Sequence, residues 1–335
     1  MSGKVGDNTG LQSGAVASAA AGIESLSSDP TAEHGKCWFN STTSVLKVYN
    51  NVAAWAAGGT ATQARVQTRG CGTLSAGLTM SGNTTGRVAT SEEYDGSSWT
   101  AGNSLLVARL GVGRAGTQTA ALAHGGQTTS NVTNTEEYDG TCWTAGGALN
   151  RGKHHGGDDG TQTAAWTAGG DASATAEYNN TTEEYNGASW TTTNNILTAR
   201  NSTDGCGIQT AGLLVAGNPS GASRMVGCEE YDGNSWTAGG NIATAVHTSR
   251  TAGTQSSAML TCGDDGSADY SLPDCSSYNG TSWSSASSMS GPRYGHAAGG
   301  TGTTLFAALG QTSSTKLATT EEHTETVTAR TVTDS

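Results

Sequence analysis

Short apolar runs alternate with clusters of Gly, Asn, Asp, Ser and Thr along this chain, and the spacing predicts β-strands joined by tight turns. Residues 105–143 spell out one unit. Leu105 is an apolar anchor, and Ala108-Arg109-Leu110-Gly111-Val112-Gly113 reads as a first strand. Thr117–Ala123 is a second strand ending at Gly125-Gly126, followed by a variable loop, 127–131. Thr133–Tyr138 is a third strand, Asp139-Gly140 a tight turn, and Trp143 sits on a fourth strand. Four such strands make one twisted antiparallel sheet.

The unit recurs. Tyr138-Asp139-Gly140…Trp143 has counterparts at Tyr94…Trp99, Tyr185…Trp190, Tyr231…Trp236 and Tyr278…Trp283. A looser copy, Tyr49…Trp55, precedes them, and Glu321-Glu322-His323 follows. The steps from Tyr49 to His323 are 45, 44, 47, 46, 47 and 45 residues. Six sheets at that period indicate an all-β fold, a β-propeller of six four-stranded blades, with seven as the alternative. The ring is expected to close by pairing a strand near 48–57 with the C-terminal tail. The Gly/Ala/Ser-rich leader and the hairpin at 36–49 then form an N-terminal module, residues 1–50, ahead of a propeller spanning 51–335.

Aligned repeats carry chemistry. Eight residues before each second strand lie Arg65, Arg109, Lys153, Arg200, Val246 and Arg293. The third strands carry Glu92-Glu93, Glu136-Glu137, Glu183-Glu184, Glu229-Glu230, Ser276-Ser277 and Glu321-Glu322. Where the cation is missing, so are both acids. The expectation is an ion pair within each blade, with Glu93, Glu137, Glu184, Glu230 and Glu322 as partners. At exposed positions such pairs contribute about 0–1 kcal/mol, chiefly fixing register. A ring of cations binding an anion is the alternative. Tyr94, Trp99, Tyr138, Trp143, Tyr185, Trp190, Tyr231, Trp236, Tyr278 and Trp283 recur in every unit, which favours blade packing over sugar stacking.

Composition narrows the functional classes. A net charge of −12 argues against a nucleic-acid partner. No apolar run reaches the roughly 18–20 residues of a membrane span, and Ala15–Ile23 makes a poor signal peptide. Seven cysteines show no paired metal-binding spacing, with Cys262 and Cys275 expected as a bridge or as reduced thiols. His154, Asp158 and Asp159 are the local metal candidates, weakened because adjacent strand residues point to opposite faces, so that His154 and His155 do not share an ion. Asp204 and Asp264-Asp265 read as solvated turn residues. No set of unlike catalytic groups assembles, so neither an enzyme nor a cofactor is expected.

The double glycine at 125–126, Tyr138 and Trp143 resemble the kelch repeat. The wording Thr-Glu-Glu-Tyr-Asp-Gly-x-x-Trp-Thr-Ala-Gly-Gly, with Gly-Thr-Gln-Thr-Ala-Ala-Leu-Ala, is similar to kelch-like repeats in virion and tail-fibre proteins of marine bacteriophages, notably of the cyanophage type. That resemblance implies a virion structural protein made in the host cytoplasm and displayed in many copies. Residues 1–50 would dock to other virion proteins, and loops 127–131, 171–180, 218–224 and 264–274 would contact a host-surface glycan or protein. A secreted bacterial adhesin and a capsid decoration protein are the alternatives.

Overall fold

The computed structural model describes residues 23–33, 35–171, 178–219, 224–267 and 271–332. The leader 1–22 and parts of three of the loops named above lie outside them. The described residues form two compact units, one within 53–324 and one within 23–52 and 325–332.

In residues 53–324 the described residues build six four-stranded antiparallel blades. Blade 1 runs Arg69–Thr73, Ala76–Met80, Ser91–Tyr94 and Trp99–Ala101. The other inner strands are Gly113–Thr117, Gly157–Thr161, Asp204–Ile208, Arg250–Thr254 and Ala297–Gly300. Each inner strand packs against the next and the last against the first, which closes the ring around an axis. Blade 6 takes its outer strand from the other end of the sequence, Val45–Ala57 lying beside Thr320–Thr331. Trp55 therefore serves as the Trp of blade 6, with its ring 5.1 Å from His323.

Local sequence explains the turns. Gly72, Gly116, Gly160, Gly207, Gly253 and Gly300 all hold left-handed φ beside the first hairpin. A Cβ there would fall 2.1–2.3 Å from a carbonyl oxygen of the facing strand, so no other residue fits without rearrangement. In the third-to-fourth turn Asp139 Oδ1 accepts the N–H groups of Thr141 and Cys142, and Asn186 does the same for Ala188 and Ser189. Apolar side chains of adjacent sheets pack into separate small cores, such as Leu78, Leu105, Val112, Tyr138 and Trp143.

The smaller unit pairs Glu24–Leu26 in parallel with Cys37–Asn40, which pairs antiparallel with residues 45–48. Trp38 stacks on Tyr49 at 4.5 Å, and Lys47 pairs with Asp29 at 2.8 Å. Val332 N–H donates to Leu46 O. The tail beyond Thr324 thus belongs to this unit, which corrects the 51–335 boundary. Tyr49 also belongs here rather than to the repeat.

Candidate functional site

The inner strands are mostly Gly, Ala, Thr and Cys, because six of them must crowd one axis. Six charged residues interrupt them: Arg69, Arg114, Asp158, Asp159, Asp204 and Arg250. Arg69 pairs with Asp204 and lies 3.9 Å from Asp158. Arg114 pairs with Asp159 at 3.1 Å and lies 3.6 Å from Asp204. Arg250 donates to the carbonyls of His296, Ser249 and Thr68. Asp158 Oδ1 accepts the N–H of Arg114 at 2.8 Å, and Asp204 Oδ2 that of Thr251 at 2.6 Å. Three cations thus face three carboxyls.

Burial dominates the electrostatics here. It pushes the carboxyls of Asp158 and Asp159 up to about 6, against the pull of the neighbouring arginines. It lowers Arg250 to about 9, with Arg69 adding to the effect. Burial works against the Arg114 charge too, but Asp159, Asp204 and Asp158 overcome it and hold Arg114 firmly protonated.

One end of the axis opens into a cavity of about 220 Å³ lined by glycines from all six inner strands, Cys71, Arg114 and Asp159. Asp159 is the accessible acid, its side chain 21% exposed where those of Asp158 and Asp204 are sealed. Burial pushes the Cys71 thiol up to about 12, so it is no nucleophile at neutral pH. The cavity offers a small ligand one fixed cation and one proton-exchanging carboxyl.

The aligned rows resolve differently from expectation. Arg65 pairs with Glu92, Arg109 with Glu136 (2.7 Å), Lys153 with Glu183 (3.1 Å), Arg200 with Glu229, and Arg293 with Glu321 (2.6 Å). Each cation takes the first glutamate of its blade, not the second, and every pair is buried. Arg109, Arg200 and Arg293 also donate to backbone carbonyls and Arg65 to the Thr79 hydroxyl, whereas Lys153 Nζ lies outside hydrogen-bonding geometry with its partner.

The second glutamates serve the neighbouring blade. Tyr138 Oη donates to Glu93 (2.5 Å), Tyr185 to Glu137 (2.5 Å), Tyr231 to Glu184 (2.8 Å), Tyr278 to Glu230, and Tyr94 closes the ring onto Glu322. Burial and the facing glutamates push Tyr94, Tyr185 and Tyr278 up to about 12, so these hydroxyls keep the proton they donate. Trp99, Trp190 and Trp236 add N–H bonds to Thr320, Thr135 and Thr182 of the preceding blade. Trp143 and Trp283 pack beside Tyr138 and Tyr278. Gln118, Gln162, Gln209 and Gln255 each bond two carbonyls of the preceding blade. In blade 5, Val246 and Ser276 replace the ion pair and line a cavity of about 210 Å³ with Cys262 and Cys275.

Comparison with known proteins places the fold. The solved structure of YjhT superposes with a TM-score of 0.66 at 12% identity, covering 80% of this chain and 99% of that one. The fold is a β-propeller. No protein-family model matches the chain, and no curated protein matches it in sequence. The expectation that the chain is no enzyme does not stand. It rested on finding no set of unlike ionisable groups, and Arg114, Asp159 and their neighbours on the axis are such a set.

The metal candidates separate. Asp158 and Asp159 face the arginines of the axis. His154 instead lies beside His155 and Asp171, with one ligand atom from each residue within 4.8 Å of the others. The alternation argument fails because His155 adopts left-handed φ of 55°, which turns both rings to the same side. Two turn assignments are also corrected. Asp204 is a sealed partner of Arg69, and Asp264 is buried against Arg224 (2.7 Å) and His247 (3.5 Å). All seven cysteines are free thiols, and Cys262 Sγ lies 3.0 Å from Met289 Sδ.

Proposed function

We propose that this chain is a structural protein of a bacteriophage virion, a tail or tail-fibre component whose propeller makes contacts with the host surface or with other virion proteins. The observation that carries the reading is a difference between the two faces of the propeller. One face holds the first-to-second hairpins, two residues long in five of the six blades, and the third-to-fourth turns, each four residues long. The opposite face holds the second-to-third connections, which run from 8 to 13 residues and differ in sequence. Constant scaffold on one side and varied loops on the other is the arrangement of a recognition surface.

Those loops are also tied to one another. Arg87 donates to Gln127 O at 3.1 Å, Asn131 to Asp171 O at 2.8 Å, and Arg224 pairs with Asp264 at 2.7 Å. A surface held in one shape loses less entropy on binding. The repeat wording adds the resemblance to phage virion proteins. Immunogold labelling of intact particles with antibody against residues 60–300 tests the proposal. Label on the tail or fibres supports an attachment role, and label over the capsid makes it a decoration protein. Particles without label overturn the virion reading in favour of a secreted adhesin.

A second reading, catalysis on a small ligand in the axial cavity, is favoured by Asp159. Its carboxyl, pushed up to about 6, is suited to general acid–base work near neutral pH, and Arg114 beside it suits an anionic group. Asp159→Asn would abolish such activity while leaving particle binding intact.

A further inference from the structure

The loop before each inner strand repeats one backbone feature. Gln67, Gly111, His155, Ser202, Thr248 and Gly295 all take left-handed φ between 50° and 60°. The residue before each one bridges to the loop beyond the second strand: Val66 to Asn83, Leu110 to Gln127, His154 to Asp171, Asn201 to Asn218, His247 to Asp264 and Tyr294 to Gln311. Six blades thus offer the same three places, and the backbone fixes where each side chain goes. Blade 3 fills all three with metal-ligating residues.

The geometry is that of a binding site. His154 Nε2 stands 3.4 Å from Asp171 Oδ2, about the edge of a tetrahedron with ligand distances of about 2.0–2.2 Å. The imidazoles of His154 and His155 lie with centroids 4.3 Å apart. His155 Nε2 is buried without a hydrogen-bond partner, a costly state for a polar atom. Gly111 keeps open the space beside His155, since a Cβ there would sit 2.6 Å from Nε2. The carboxylate of Asp171 is oriented by Asn201, whose amide donates to Oδ1 and leaves Oδ2 toward the histidines. Such an outer partner is what orients a metal-binding carboxylate.

We infer that His154, His155 and Asp171 bind a divalent transition-metal cation of the zinc or nickel class on the loop face of blade 3. Two imidazole nitrogens and one carboxylate suit such ions better than calcium or magnesium, which prefer all-oxygen sets. Three protein ligands leave a coordination position for water or an external donor. Blade 5 supplies an internal control. It repeats the His–Asp pair as His247 and Asp264, but with Thr248 in the place of His155.

The test is titration of the full chain, without a polyhistidine tag, with Zn²⁺ by calorimetry and with Co²⁺ by visible absorption. One equivalent is expected to bind, with cobalt bands of nitrogen–oxygen coordination. His154→Leu, His155→Gly and Asp171→Gln each install the residue that blade 2 carries at the matching place, so the fold accommodates them. Each is expected to weaken binding at least tenfold, and His247→Leu to leave it unchanged. Absence of saturable binding, or binding that survives all three blade 3 variants, overturns the proposal.

Discussion

Removing one member of a buried ion pair separates a structural brace from a register marker. Arg109 is sealed, and its guanidinium contacts Glu136 Oε1 at 2.7 Å and the carbonyls of Gly125 and Asn134 at 2.7 and 2.8 Å. Glu136 Oε2 accepts the N–H of Leu106 at 2.6 Å. Arg109→Met keeps most of the volume but strands a carboxylate with one donor, a loss of about 3–5 kcal/mol. At roughly 2–4 °C per kcal/mol for a domain of this size, Tm falls by roughly 6–20 °C. Glu136→Gln leaves Arg109 its carbonyls and costs less, about 2–3 kcal/mol. The double variant buries no unpaired charge, so it is expected to be no worse than Arg109→Met alone. Blade 5, with Val246 and Ser276 in these places, shows that the sheet forms without the pair. Urea unfolding followed by Trp fluorescence gives the double-mutant cycle. Single losses under about 1 kcal/mol that simply add would refute the reasoning and return the pairs to the surface class.

Three further outcomes follow from the geometry. Tyr185→Phe removes the hydroxyl donated to Glu137 of the preceding blade and should cost about 1.5–3 kcal/mol in the same unfolding assay. Asp159 has a folded-state value of about 6 against 3.8 for the free group. Between those values the folded chain holds more protons, so its contribution to stability falls as pH rises from 4 to 6; unfolding midpoints of the wild type should decline across that window relative to Asp159→Asn, and parallel curves would count against it. Thiol labelling of the native protein should find Cys142 first and the half-buried Cys37 next, with Cys71, Cys206, Cys228, Cys262 and Cys275 reacting only on unfolding.

The repeat was legible because its cause is periodic. Each blade must bury the same Tyr and Trp, turn on the same Gly, and satisfy the same carbonyls, so those residues recur at about 45-residue steps. The pairing of cation with acid was legible too, but the choice between adjacent glutamates was not. Strand alternation sends the two to opposite sides of the sheet. Sequence order does not say which side faces the cation of its own blade and which the Tyr of the next. One clue was present. Ser277 lacks the acid in blade 5, and His323 replaces the Tyr of blade 6 that would reach it. Those two losses belong to one inter-blade bond, just as Val246 and Ser276 belong to one intra-blade pair.

The axis was hidden for the opposite reason. Arg69, Asp204 and Arg250 open their strands, Arg114 and Asp158 stand second and Asp159 third, so charged and uncharged residues mix at each place and aligning the repeats gives no uniform row. Yet a charge set among Gly, Ala and Cys on an inner strand has nowhere to go but the axis. Burial there demands an opposite charge from another blade, and Arg69 with Asp204 meets that demand across three blades. The same logic separates His155 from its counterparts, since Gly and small polar residues fill most of the other left-handed places. In a propeller the residues that repeat hold the ring together. Those that break the repeat on the axis and on the loop face are where specific chemistry is to be sought, and both Asp159 and the His154–His155–Asp171 cluster are found by that rule.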